Sequence, residues 1–405
     1  MDDAITPMSF AERVRFYRNR AGMSRKVLGE LCGRSEEWVK AIETGRLLMP
    51  RIPALIRLAE LLGVHDLAEL TGEQKLATTM YTKMRHPRAD EIARSLATYP
   101  IVAGDREPVP APALAAAVAQ AWRVWHGSPN QRDAIAAVLP RLLDDARHTV
   151  RLLDGAERRA ALASLAQVYH LAQLYLSFQP LPKLVLLTGD RAMAAAQDAD
   201  DPHAIAAAAW YLNHVYRDAG EQAEARLELA HQACSLLVPD RGEADRSLWG
   251  LLRLGMALSY AKIGRKGDAE RHWDEASRAA DSLSGDHPWL LFGRATVDAY
   301  AVTIAADLTD GHEAARQANR IDVQAVPSAT RRSFHLIETA RAYHLKREPI
   351  ATVHLLRKAF EVSPDTISYN LFTRSVVQEL MTSGGSTVRE DARDLGRRLH
   401  LAGAA

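Results

Sequence analysis

Two cysteines in 405 residues, Cys32 and Cys234, are too few for a disulfide framework. No metal-ligand spacing surrounds either one, so the pattern predicts free thiols in a reducing compartment and no bound metal. No apolar run approaches the ~18 residues that a membrane-spanning helix requires. The first ten residues, MDDAITPMSF, are acidic and lack the basic-then-apolar order of a signal peptide. A soluble cytoplasmic protein is expected. The chain also lacks a charge excess: 51 basic residues stand against 50 acidic ones, for a net charge of +1. It is no polycation, and any nucleic-acid binding has to be local. Catalytic signatures are missing as well. There is no Walker loop, no Gly-x-Gly-x-x-Gly after a strand, no His-Glu-x-x-His and no Cys-x-x-Cys. No two of the fifteen histidines stand at i, i+4. A non-enzymatic protein without a cofactor is the expectation.

What is present begins with MSRKVLGELCGRSEEWVKAIETG, Met23 to Gly45. Ser24 can cap a short helix through Leu31 by accepting an otherwise unmade first-turn bond. Val27, Leu28 and Leu31 line one face at helical spacing, and Gly29 leaves room for a second helix to cross. Gly33 can take the left-handed conformation that stops the first helix. Ser35 then caps another, whose Val39 and Ile42 face back at Leu28 and Leu31. The spacing alone fits either an ordinary αα-hairpin or a helix-turn-helix, whose second helix enters the DNA major groove.

The flanks narrow the choice. Arg13 to Ser24, Ile42 to Pro50 and Ile52 to Val64 complete a stretch, Phe10 to Gly72, that resembles the Xre/Cro-type helix-turn-helix domain of phage and bacterial repressors. The resemblance implies a five-helix, lambda-repressor-like head over 1–72, with Arg18 paired to Glu43 and double-stranded operator DNA as partner. It also implies that Ser24, Arg25 and Lys26 lie near phosphate, where a helix start offers free N–H groups. Ser35, Glu36, Glu37, Lys40 and Ala41 fall at the family's base-reading positions, and Arg46 is a further cation near the DNA face. Glu36 and Glu37 depart from the family pattern. They suit the helix dipole and can accept from cytosine N4, yet they repel phosphate. Trp38 is either a wedge toward DNA or a lid on the junction with the first helix.

Residues 73–112 read as a linker with a short helix near Arg88 to Thr98, ending in a semi-rigid stretch with Pro108, Pro110 and Pro112. Beyond it the chain is rich in alanine and leucine, with helical periodicity and no credible strand, so the fold class is all-α. Leu251 to Asp281 resembles a tetratricopeptide repeat, whose period is about 34 residues. Met256, Ala257 and Tyr260 stand on its first helix, Gly264 at the turn, and Ala269, Trp273 and Ala276 on its second. Leu212 to Pro239 and Ala340 to Pro364 repeat the order, which predicts an α-solenoid over 113–382 and a capping helix in 383–405, with Val388, Ala392, Leu395 and Leu399 on one face. In that frame Gln167, His170, Trp210, Asn213, His214, Arg217, Arg341 and His344 look into a concave groove and are candidate contacts for a peptide or small-molecule effector. The layout resembles the peptide-sensing regulators of Gram-positive bacteria, and the composition looks actinobacterial. It implies a DNA-binding regulator, homodimeric through its body. The alternative is an interaction scaffold whose head serves only docking or dimerisation.

Overall fold

The computed structural model describes residues 8–47, 49–50, 52–64, 66–72, 83–101, 106–219 and 223–401; the side chains of 215–219 lie outside that description. Every regular element among the described residues is helical. Five helices build the head: α1 (Phe10–Arg20), α2 (Arg25–Leu31), α3 (Glu36–Glu43), α4 (Ile52–Leu62) and α5 (Leu67–Thr71). Serines start the first three. Ser9 forms a capping box with Glu12, Ser24 accepts from Val27 N, and Ser35 accepts from Trp38 N. Each cap stabilises its helix by about 1 kcal/mol. Val14, Leu28, Val39, Ile42, Leu55, Leu58 and Leu70 interlock in a core that belongs to the head alone.

The remaining helices are α6 (Ala89–Ala97), α7 (Ala111–Gly127), α8 (Gln131–Ala136), α9 (Leu139–Leu152), α10 (Gly155–Leu176), α11 (Pro182–Asp198), α12 (Pro202–Ala219) and α13 (Ala223–Ser235), then α14 (Glu243–Lys262), α15 (Lys266–Asp281), α16 (Arg294–Asp307), α17 (Gly311–Ala318), α18 (Ala329–Leu345), α19 (Pro349–Val362), α20 (Pro364–Ser368), α21 (Leu371–Ser383) and α22 (Ser386–Arg398). They pack as successive hairpins, α10 with α11, α12 with α13, α14 with α15, α16 with α17 and α18 with α19. First helices stack on first helices, from α10 through α12, α14 and α16 to α18, so the body is a helical solenoid. Buried alanines such as Ala206 to Ala209 let neighbours approach, and Trp122, Tyr175, Trp210 and Phe292 fill the gaps.

Two features differ from the sequence expectation. Of the segment read as a linker, 73–82 and 102–105 lie outside the described residues, and 83–101 and 106–112 are folded onto the body. Ile92 and Leu96 of α6 are fully buried in the solenoid core. Arg147 donates to the carbonyls of Ser95 and Thr98 at 2.7 Å each, and Thr149 Oγ1 accepts from Val109 N at 3.1 Å. The stretch around Pro108 is therefore bonded to α9 rather than spanning open solvent, and Pro112 stands in the first turn of α7. The solenoid also closes on itself. Gln131 Nε2 donates to Thr366 Oγ1 at 2.8 Å, Arg132 N to Asp365 at 2.5 Å, and Ser363 Oγ to Pro129 O at 2.8 Å. The Arg132 guanidinium is buried 4.4 Å from the Tyr369 ring centre, so α8 and α20 form a seam. At the far end, Val388, Ala392 and Leu395 of α22 are buried against α19 and α21.

Candidate nucleic-acid interface

The head's second and third helices cross closely because Gly29 has no side chain. A Cβ there would stand 2.7 Å from the Ser35 carbonyl oxygen. Gly33, at φ +62°, reverses the chain between them. The end of α3 is locked from the other side. Glu43 accepts from Arg18 Nε at 2.5 Å and from Arg25 Nε at 2.7 Å, and Arg18 Nη1 also donates to Met23 O at 2.6 Å. The Glu43 side chain is 1% exposed. Burial pushes its carboxyl up, but the hydrogen bonds and charges of Arg18 and Arg25 outweigh that and hold it below its ordinary value. Arg25 is therefore part of the head's structural clamp, not a free fork for phosphate.

The other expected DNA contacts divide. Ser24 and Lys26 are exposed, and Lys26 makes no ion pair among the described residues. Glu36, Glu37 and Lys40 are exposed along α3. Glu37 draws in two of the cations, Lys40 at 3.1 Å and Arg46 at 3.6 Å, so neither is idle beside a phosphate path. Ala41 is fully buried and cannot read a base. Ser35 is buried too, capped over by a turn of the body. Trp38 packs half-buried against the head core with Arg34 over its ring, which makes it a lid.

Most of the residues expected in the groove are committed to other residues of the body, and Trp210 and His214 meet each other. Gln167 accepts from Trp122 Nε1 at 3.1 Å. Asn213 accepts from Ser259 Oγ at 2.9 Å and donates to Arg226 O at 3.3 Å. Trp210 is buried with its ring edge-on to His214, 4.2 Å between centres. Arg341 is bound to Asp307 at 2.8 Å and Glu338 at 3.2 Å; burial opposes its charge, but the two carboxylates raise its pKa. His344 sits 3.9 Å from Glu379, with burial holding its imidazole down to about 4. His170 is buried and stacked on Tyr211 at 4.5 Å, and burial lowers it to about 3. The side chain of Arg217 lies outside the described residues.

Sequence reading missed the residue that fills this space. Trp289, on the connection from α15 to α16, stands 4.9 Å from Trp122, 6.0 Å from His170 and 6.4 Å from Tyr211. Its carbonyl accepts from His126 Nε2 at 2.9 Å. Burial keeps His126 neutral, at about 4, so its Nδ1 is left to accept from Ser328 Oγ at 3.2 Å. Trp289 falls outside the repeat phase, and only its proximity to a Pro-containing interruption, Gly285 to Pro288, sets it apart in the sequence.

Comparison with known proteins bears on the head. No curated protein matches the chain. Among solved structures, the crystal structure of BtubC (BKLC) from P. vanneervenii shares 14% identity, covering 55% of this chain and 90% of that one with a TM-score of 0.35. Residues 9–71, the five helices of the head with its capped α2 and α3, match the family model of a helix-turn-helix domain.

Proposed function

We propose that the protein is a sequence-specific, DNA-binding transcriptional regulator rather than an enzyme, with an Xre-type head and a body of tetratricopeptide-like repeats. The match of residues 9–71 to a helix-turn-helix domain carries this reading. Lys26 beside the capped start of α2 provides a cation and free N–H groups for phosphate. One such head reads few base pairs, so two heads about 34 Å apart on a two-fold operator make a workable site. The homodimer is proposed on that geometry, with the body as its interface. Effector sensing is proposed for the concave side of the solenoid, where an aromatic ligand has to compete with Trp289 for Trp122, His170 and Tyr211. The test is selection of binding sites from a random duplex library with the full chain. An enriched two-fold sequence supports the reading. A pool that stays random at protein concentrations that retain bulk duplex refutes it.

A further inference from the structure

The turns that close α14–α15, α16–α17 and α18–α19 hold equivalent places in three successive hairpins. Each passes through one residue of positive φ: Gly264 at +77°, Thr309 at +61° and Arg347 at +61°. Thr309 and Arg347 show that the turn itself accepts a side chain at this place. Gly264 is bare for another reason. A Cβ built on it would stand 2.1 Å from Ser35 Cβ, so the backbone of this body turn lies directly against the N-cap of α3. At the other end of α3, Arg347 Nη2 donates to Thr44 O at 2.9 Å. Leu47, just beyond, packs on the head core and also on the body cluster of Val302, Ala306, Ala315 and Leu345. Between these contacts lies a cleft of about 870 Å³, where Glu36, Glu37 and Lys40 of the head share walls with Lys266, Asp310 and Lys346 of the body.

A helix-turn-helix reads DNA by laying the N-terminal residues of its second helix on base edges in the major groove. Here that end of α3 is under a turn of the body. The cleft has the volume of a small-molecule site and does not admit a duplex. We propose that the body holds the head in a DNA-excluded conformer, competing with DNA for the start of α3, and that operator binding requires the head to lift off Gly264 and Arg347. This rests on the DNA-binding reading above. It also gives Glu36 and Glu37, which sit poorly beside phosphate, a place in a cleft whose far wall carries Lys266 and Lys346, although those lysines pair with Glu270 and Glu348 of the body and Glu37 with Lys40 and Arg46 of the head. Among the described residues the contact rests on a close backbone approach at Gly264, the bond from Arg347 and the packing of Leu47, which is slight beside the cores of head and body. A covalent tether gives such a contact an effective concentration near the ~mM range, so little intrinsic affinity is needed. Slight contact also makes the conformer reversible, because any ligand with unequal affinity for the docked and free states shifts the balance.

Gly264→Asn tests the proposal in the full chain. Asn tolerates left-handed backbone, so the variant keeps the turn while its Cβ drives Ser35 away. Gly155→Asn is the control, since Gly155 has the same sign of φ, +57°, and nothing within 4 Å of its would-be Cβ. If docking leaves about 10% of heads free, full release raises affinity for a selected duplex about tenfold. The expected result is that gain for Gly264→Asn, with a larger radius of gyration by X-ray scattering, and neither change for Gly155→Asn. Arg347→Ala, which loses only the bond to Thr44, should shift both readouts the same way by less. Should Gly264→Asn melt below the assay temperature, Arg347→Ala decides alone, and an unchanged affinity overturns the proposal. An expanded Gly264→Asn chain that binds DNA no better than wild type overturns the competition while leaving DNA binding intact. If expanded variants bind no duplex at all, the DNA-binding reading fails, and the exclusion fails with it.

Discussion

Glu43 is the residue on which the head most depends, and its removal has a calculable cost. Glu43→Ala strands Arg18, whose side chain is 10% exposed, and leaves it only the Met23 carbonyl. Breaking a buried pair by deleting one partner costs roughly 3–5 kcal/mol. The lower end applies, because Arg18 keeps that carbonyl and Arg25, one-third exposed, can turn to water. A loss of about 3 kcal/mol accelerates hydrogen exchange on the order of 100-fold in a segment that exchanges through opening of the head. Mass spectrometry of peptides spanning 36–43 in the full chain reads this locally, and the difference between wild type and variant removes the protection that the docked body gives to both. Arg25→Ala should cost no more than about 1 kcal/mol, since its partner keeps Arg18 and its own charge is already part-solvated. The effect also has a pH signature. Glu43's folded pKa lies below its unfolded value, so its contribution is present above the unfolded value and lost as pH falls through the folded one. The gap between wild type and Glu43→Ala should narrow below about pH 4. Equal losses for Glu43→Ala and Arg25→Ala, or a gap that widens in acid, would refute the clamp.

Other outcomes follow from the same geometry. Lys26→Ala should weaken binding to all duplexes alike and reduce the salt slope by about one unit, read from affinities across a salt series. Glu37→Gln frees Lys40 and Arg46, so it should tighten binding to random duplex and steepen the same slope; a changed consensus base in site selection would instead make Glu37 a base reader. Trp289→Ala should destabilise the body by about 3 kcal/mol, toward the low end for a large aromatic because Trp289 is only half-buried, with loss of near-ultraviolet dichroism. Burial pushes the thiols of Cys32 and Cys234 up to about 11, so at pH 8 both should alkylate on the order of 100-fold more slowly than a free thiol until the chain unfolds.

The head was legible because its signals are local. A serine, a glycine and an apolar stripe at helical spacing fix α2, the turn and α3 within a few residues, and the capping bonds of Ser24 and Ser35 form where the sequence placed them. The solenoid was legible as a class for the same reason, since alanine and leucine periodicity repeats from hairpin to hairpin. What escaped is non-local. Arg25 and Glu43 are eighteen positions apart, and no pattern within either helix says that they meet. Ala41 was read as exposed from its place in a family pattern, whereas it is fully buried, and the chain after α3 turns back on it so that Arg46 N and Leu47 N donate to its carbonyl. The concave face was read as open because repeat phase assigns faces to helices; it says nothing about a connection such as 282–293 that returns Trp289 into the space. Glycine at 264 looked like a turn residue, and only its neighbour across the cleft reveals a second reason for it.

The seam between α8 and α20 changes how this body has to be made. An open stack of hairpins can nucleate anywhere and grow outward, each unit needing only the last. Here Gln131 and Thr366 lie 235 positions apart, and Pro129 and Ser363 lie 234 apart, so the first helices wait for partners that are synthesised near the end. Loop closure over such separations is slow, and until it occurs the buried charge of Arg132 has no Asp365. Ring closure should therefore be the last and slowest step of folding. A chain truncated before Pro364 should keep its stack, whose main core runs from Ile92 to Ile304, but lose the seam, so that α8 with its unpaired Arg132 frays first.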